Sequence, residues 1–486
     1  MSDIVLVRPR TTYGELYLPW NLMYIAAPVI RKGYSVSIID QNTDAEWKKS
    51  LRSEISSKPM CVGTGAFTGR MIEGALEASR IAHEAGVTTV WGGVHASLLP
   101  EQTLQDPSVD YVVVGEGDAT FEELVDRLSG RTSGSPGDIL GLAWKDGTRI
   151  TVNPPRPHLD LDSLAPTPWG LTDPVKYFHD RGPRAPRFMD FCSSRGCPYN
   201  CGFCYNVAFH KRKWRGMSAE VFFGRVKEMV ERFGVRGFIF MDDYFFANME
   251  RIVRFSELLL KNNMQIVWEV QCRLDAFDQM SDEILALFVR AGLWRFHFGA
   301  ESGNPGILEL MDKKITLDMA RRAAERARRF RVAGCFYFML GFPGETPEEM
   351  LDTYAFMNEL AKGNPYVILL GPYIYVPYPE TPLYHRAVEL GFVAPTTLEG
   401  WADTEGWGEF LSPHSPAPTR YFMNISKRYF RASVIWPQLK PLFKLRMALF
   451  RRMPRGSAIE WGILKAAETV LRPTLTRINL RRWANR

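Results

Sequence analysis

Four of the chain's seven cysteines are gathered between Cys192 and Cys204. Their core is Cys197-Pro-Tyr-Asn-Cys201-Gly-Phe-Cys204, a Cys-x3-Cys-x2-Cys loop. Thiolates are the natural ligands of iron–sulfur clusters, one for each iron. Three in one loop hold three corners of a four-iron cube and leave the fourth iron open to another ligand. The competing reading is a structural zinc site with Cys192 as the fourth thiolate. Such sites more often pair two Cys-x2-Cys knuckles, and here there is one; Cys192 reads as part of a strand. An odd, clustered set of cysteines suits metal or redox chemistry in a reducing compartment more than disulfides.

A loop of this kind needs a scaffold. From about 188, strands are expected at Phe188–Cys192, Gly237–Asp242, Ile266–Cys272, Arg295–Gly299, Cys335–Leu340 and Val367–Tyr375. Helices are expected near 218–233, 248–261, 281–291, 316–331 and 347–361, with Ser218, Ser281 and Thr316 as N-caps. Six βα units predict a partial (β/α)6 TIM-like barrel over 187–395, a fold that places chemistry at the carboxyl ends of its strands. The cysteine loop follows the first strand. Later strand ends bring Asp242 and Asp243, Gln271 and Arg273, Glu301 and Ser302, and the turn Gly341-Phe-Pro-Gly-Glu-Thr346.

Residues 1–140 alternate short β-branched runs with helical patterns. Strands at Ile4–Val7, Ser35–Ile39, Met60–Val62, Thr89–Trp91 and Tyr111–Val114 predict a doubly wound, Rossmann-like α/β sheet whose ligands sit beyond the strands' carboxyl ends. A hairpin turning at Asp146-Gly147 and a Pro-rich stretch make 141–186 the expected linker. Residues 396–486 read as a basic helical region: 420–486 hold sixteen Lys and Arg against two acids, a charge of +14, leaving −8 on the rest. Trp436, Leu439, Phe443, Met447 and Phe450 recur at helical spacing among these cations. The N-terminus lacks a signal peptide, and no apolar run approaches the 18–20 residues that span a bilayer, so a cytoplasmic enzyme is expected.

From about 185 to 390 the chain resembles the radical S-adenosylmethionine (SAM) superfamily, on the Cys-x3-Cys-x2-Cys loop with Phe203 before its last cysteine and on the ordered strand-end motifs. The resemblance implies a [4Fe–4S] cluster on Cys197, Cys201 and Cys204 whose open iron chelates SAM. It implies that Asp242 and Asp243 face the amino end of SAM. Glu301 or Ser302 would reach its ribose, and Gly341 would lead the turn flanking adenine. Gln271 and Arg273 are further candidates. Residues 1–130 resemble the cobalamin-binding domain that precedes many such enzymes, on Gly63-Thr64-Gly65, Trp91-Gly92-Gly93-Val94-His95, Leu99-Pro-Glu-Gln-Thr103 and the run to Gly115-Glu116-Gly117. The Asp-x-His-x-x-Gly signature that gives cobalt a histidine is absent, since His83-Glu-Ala-Gly86 lacks the aspartate. This implies cobalamin without a histidine from that motif; His95 points at the corrin or is a loop hydrogen-bonder.

The resemblance makes the expected function a cobalamin-dependent radical SAM methyltransferase acting on an unactivated carbon. The alternative is an oxidative cyclase or rearrangement enzyme with the same cofactors, and a third reading is a non-catalytic sensor. A methylthiotransferase would need a second cluster near the N-terminus, where only Cys61 lies. The expected partners are a small-molecule or lipid-like substrate and an external one-electron reductant of the flavodoxin or ferredoxin type. Peripheral membrane contact through 420–486 is expected; nucleic acid is not.

Overall fold

The computed structural model describes residues 2–11, 16–180 and 187–402. Strands β1 (Ile4–Arg8), β2 (Val36–Asp40), β3 (Cys61–Gly65), β4 (Thr88–Gly92), β5 (Tyr111–Val113), β6 (Leu142–Asp146) and β7 (Arg149–Val152) form one sheet. Its order is β2-β1-β3-β4-β5-β6-β7. The first five strands are parallel, and Ile4–Val7 of β1 are wholly buried because helices cover both faces. The hairpin at Asp146-Gly147 forms, but it is the antiparallel edge of this sheet and not part of the linker. Its ladder to β5 buries Leu142 and Ala143 in the first domain's core.

A second sheet gathers β8 (Phe188–Phe191), β11 (Gly237–Phe240), β12 (Val267–Cys272), β13 (Leu293–Glu301), β14 (Ala333–Leu340) and β15 (Val367–Ile374). All pairings are parallel and run in chain order, as a partial barrel requires. A two-stranded ribbon, β9 (Ser194–Arg195) with β10 (Arg215–Gly216), brackets the cysteine loop. Alternation sets the barrel's outer face: Phe238, Phe240, Trp268, Val270, Phe296, Phe298, Phe336 and Phe338 pack beneath the helices in one aromatic-rich core.

The expected caps hold, since Ser218, Ser281 and Thr316 each accept a backbone N–H three residues on. Short helices at Gly93–Leu98, Leu274–Gln279 and Pro305–Leu310 had no sequence signal. Gly93 opens the first at φ +83°, and the backbone N–H of His95 bonds Ala66 O (3.0 Å), so tertiary contacts make that turn. Among the described residues, no helix is long and apolar enough to cross a membrane. Residues 403–486, with the basic amphipathic segment, lie outside the described residues.

Segment 16–20 ties the two sheets. The backbone N–H of Leu18 donates to Asp190 Oδ1 (3.0 Å), and Trp20 Nε1 to Asp190 O (3.2 Å). Tyr177, at the end of the Pro-rich stretch, donates its hydroxyl to Asp40 Oδ2 (2.7 Å), an oxygen shared with Arg8. The stretch is therefore a strap bonded to the first domain.

Candidate functional site

The cysteine loop begins on a turn that only glycine can make. Gly196 sits at φ +83°, and a Cβ there would lie 2.0 Å from Lys213 O. Asp243, just past β11, accepts from Gly196 N (2.8 Å) before the first cysteine. It also accepts from Tyr205 Oη and Asn206 Nδ2 (both 2.9 Å) after the last. One carboxylate thus closes both ends of the loop. The middle is pinned where Gly202 N donates to Met311 O and Leu383 N to Gly202 O, each at 2.8 Å.

Each sulfur faces an N–H donor. Arg273 Nη1 reaches Cys201 Sγ at 3.3 Å, and Asn206 Nδ2 reaches Cys204 Sγ at 3.7 Å. The backbone N–H of Tyr199 bonds Cys197. Burial pushes the Cys197 thiol up to about 11 and that of Cys204 to about 12, so a metal must displace their protons, as thiolate ligation does. Among the described residues no three Cys, His, Asp or Glu side chains gather around a single-ion site. Three thiols on one clamped loop, each with a donor for a charged sulfur, fit a cluster whose irons take one thiolate apiece.

The neighbouring strand-end residues divide sharply. Asp242 is wholly buried and accepts from Ser193 N (3.1 Å), Ser193 Oγ (2.7 Å) and Ser194 Oγ (2.5 Å) beside Arg251. Its carboxylate is spent inside the protein, contrary to the expected role at SAM. Glu301, at φ +61°, is paired with Lys313 Nζ at 2.7 Å, and both are buried. Ser302 is fully buried against Thr353 Oγ1 (3.0 Å). Both side chains are engaged by protein partners. Gln271 is exposed at the end of β12, its Nε2 3.9 Å from Met241 Sδ. Gly341 turns at φ +85°, and its N–H donates to Glu345 Oε2 (2.5 Å), so the glycine-led turn is rigid. Phe203 lies beneath Lys313 Nζ, 5.4 Å from its ring centre, and edge-on to Phe342.

At the first sheet's carboxyl rim, Gly65 and Gly93 serve close packing of backbone, while a Cβ on Gly92 would make only ordinary contact with Val113. A Cβ on Gly65 would meet Gly92 O at 3.1 Å, and one on Gly93 would meet Ala66 N at 3.0 Å. Gly117 packs tightly on Ile25 and Val113. Gly115, at φ +82°, has open space where a Cβ would be. Thr64 Oγ1 is buried there with no hydrogen-bond partner. An unsatisfied hydroxyl at the end of β3 and an open glycine past β5 fit a bound polar ligand along this rim.

Two residues expected at this rim engage protein partners. Glu116 does not face a ligand: it meets Arg215 Nη1 (3.1 Å) and Arg195 Nη1 (3.3 Å), both on the ribbon beside the cysteine loop. Burial alone would raise its carboxyl, and the arginines reverse that and hold it below the ordinary range. His95 is fully buried, with Nδ1 3.0 Å from Thr68 Oγ1 and its ring edge-on to Trp401, while its Nε2 has no hydrogen-bond partner.

The interdomain contacts escaped sequence reading. Arg195 forks onto Asp118 (3.0 and 3.3 Å) across 77 residues of chain. Phe67, 42% exposed beyond β3, meets Tyr205 edge-on at 5.6 Å. The short helices Gly93–Leu98 and Asn206–Phe209 also touch. The rim of the first sheet therefore faces the cysteine loop directly.

A Rossmann-like domain set rim to mouth against a partial barrel with this loop defines a class, and comparison with known proteins names it. The family model for the radical SAM superfamily matches residues 191–357, and that for the B12 binding domain matches 10–125. An uncharacterized methyltransferase of Pyrococcus horikoshii is 32% identical over 80% of this chain and 83% of its own. The anaerobic magnesium-protoporphyrin IX monomethyl ester cyclase of Rubrivivax gelatinosus is 27% identical over 87% and 77%. The fold is that of the radical SAM methyltransferase TsrM from Kitasatospora setae, solved with cobalamin and a [4Fe–4S] cluster. Its TM-score is 0.67 at 16% identity, over 85% of this chain and 87% of that one.

The chain belongs to the radical SAM superfamily, in the branch that carries a B12-binding domain. It is an enzyme whose cofactors are a [4Fe–4S] cluster, SAM and cobalamin.

Proposed function

We propose that this enzyme places a methyl group on an unactivated carbon of a small molecule with a large apolar body, an isoprenoid or other lipid-like compound. The observation that supports a shared chamber is Phe67, on the B12-domain rim, packed edge-on against Tyr205, the residue after Cys204. Bound together, the cofactors supply a radical made from SAM and a methyl group carried on cobalt. The chain's own residues do the positioning. Cys197, Cys201 and Cys204 hold the cluster, and Asp243 fixes their loop. Gln271 and the turn led by Gly341 are offered to SAM, and Thr64 and Gly115 to the cobalamin. A site between two domains keeps water from the reactive species.

The 32% identical methyltransferase supports methyl transfer, and the 27% identical cyclase supports a second reading with the same cofactors and no methyl gain. The test is anaerobic reconstitution with iron, sulfide and hydroxocobalamin, then incubation with trideuteromethyl-SAM, a reductant and a lipid extract. A trideuteromethylated product is expected, together with S-adenosylhomocysteine and 5′-deoxyadenosine. Formation of 5′-deoxyadenosine alone would overturn methyl transfer in favour of the cyclase reading. No SAM cleavage at all would favour the sensor.

The proposal includes an external electron donor of the flavodoxin or ferredoxin type. It also includes contact of 420–486 with an anionic membrane surface, since sixteen cations there alternate with aromatic residues. Equal flotation of the full chain and of a 1–419 truncation on anionic liposomes would overturn the membrane part.

A further inference from the structure

Arg273 lies at the carboxyl end of β12, where a SAM contact was expected, yet its guanidinium is turned onto the cysteine loop. Nη1 donates to Cys201 Sγ at 3.3 Å. Nη2 donates to Lys313 O (2.5 Å), and Nε donates to Asp275 Oδ1 (2.9 Å). The planar group stacks on Tyr199, inside the loop, with its carbon 3.4 Å from the ring centre. These four constraints on a side chain only 8% exposed leave it one orientation. The donors at the other two sulfurs are neutral amides, from Tyr199 at Cys197 and from Asn206 at Cys204. Cys201 is the sulfur that receives its N–H bond from a fixed cation, since an arginine does not deprotonate in proteins.

We propose that Arg273 sets the reduction potential of the cluster through its N–H bond to Cys201; this rests on the reading that Cys197, Cys201 and Cys204 hold the cluster. Reduction adds negative charge that spreads over the thiolate sulfurs, so a donor aimed at one of them stabilises the reduced state and raises the potential. A charge-assisted bond is roughly twice as strong as a neutral one, so Cys201 is the sulfur with the greatest leverage. Asp275 neutralises the guanidinium at longer range, which leaves the directed bond as the main effect. Arg273 is a positioning residue in this account: it touches a ligand of the cluster and not SAM.

The test begins with iron and acid-labile sulfide counts on reconstituted wild type, Arg273→Gln and Arg273→Lys. A wild type that holds no cluster would overturn the cluster reading, and this inference with it. In loaded protein, an EPR-monitored redox titration reads the midpoint. Arg273→Gln is expected to shift it to lower potential, with Arg273→Lys between, because lysine keeps the charge and loses the fork. An unchanged midpoint in fully loaded Arg273→Gln overturns the proposal. Should that variant fail to load, wild type grown on 15N-arginine decides. Its reduced cluster is expected to show a 15N coupling in pulsed EPR that is lost in Arg273→Lys, and absence of the coupling in wild type overturns the proposal.

Discussion

Asp242 and Asp243 are adjacent in the chain and serve opposite sides of β11: Asp242 is sealed against Ser193, Ser194 and Arg251, while Asp243 clamps both ends of the cysteine loop. The pair separates scaffold from site. Asp242→Ala leaves the buried Ser193 N–H and the Ser193 and Ser194 hydroxyls without their acceptor, at about 1–3 kcal/mol for each unsatisfied group. A lower chemical-denaturation midpoint is expected in apoprotein as well as holoprotein.

Asp243→Ala removes three hydrogen bonds accepted by a carboxylate at the loop ends, each worth about 1.5–3 kcal/mol. The larger expected effect is on loading. Iron content after reconstitution should fall several-fold, while the circular dichroism of the apoprotein stays that of wild type. Full loading would show that the clamp is dispensable.

Single changes of Cys197, Cys201 or Cys204 to alanine are expected to abolish the stable [4Fe–4S] cluster, read by its charge-transfer absorption. Cys192→Ala should leave it intact, because Cys192 stands outside the clamped loop. Zinc retained by the wild type and lost in Cys192→Ala would reinstate the four-thiolate reading.

Glu116 joins the first domain to the ribbon beside the cluster loop through Arg195 and Arg215. Glu116→Gln weakens two charge-assisted bonds, each worth about 1.5–3 kcal/mol, so the melting temperature should fall. Cobalamin uptake under stabilising conditions should stay within a few-fold of wild type. Loss of uptake with unchanged melting would return Glu116 to the corrin.

Burial lowers the pKa of His95 to about 3, against about 6.5 when it is exposed. Between those values the unfolded chain binds a proton that the folded chain does not. The stability due to neutral His95 is therefore whole above about pH 6.5 and lost progressively as pH falls toward 3. From pH 6.5 to pH 5 the loss is about 2 kcal/mol. His95→Gln should flatten this part of the profile in urea titrations; an unchanged slope would mean the ring is accessible to protons when folded.

The barrel was legible because its signals are local. Alternating apolar runs mark each strand, Ser218, Ser281 and Thr316 mark helix starts, and the cysteine spacing marks one loop. The short helices were not legible, because Gly93–Leu98 and its kind are made by packing and carry too few residues for a period. The hairpin and β5 were each legible as strands, but their pairing was not, since strand pairing depends on contacts distant in sequence.

Site residues followed the same divide. The sequence alone determined which chemical groups stand at each strand end and that three thiols share one loop, because these are matters of composition and spacing within a few residues. Only the tertiary structure decided where each group points. It turned Asp242, Glu301, Ser302, Glu116 and His95 inward to protein partners, and brought Arg273 to Cys201. The reason is physical: a buried polar group goes to whatever partner the fold brings within hydrogen-bond reach, and for Arg195 and Asp118 that partner is 77 residues away.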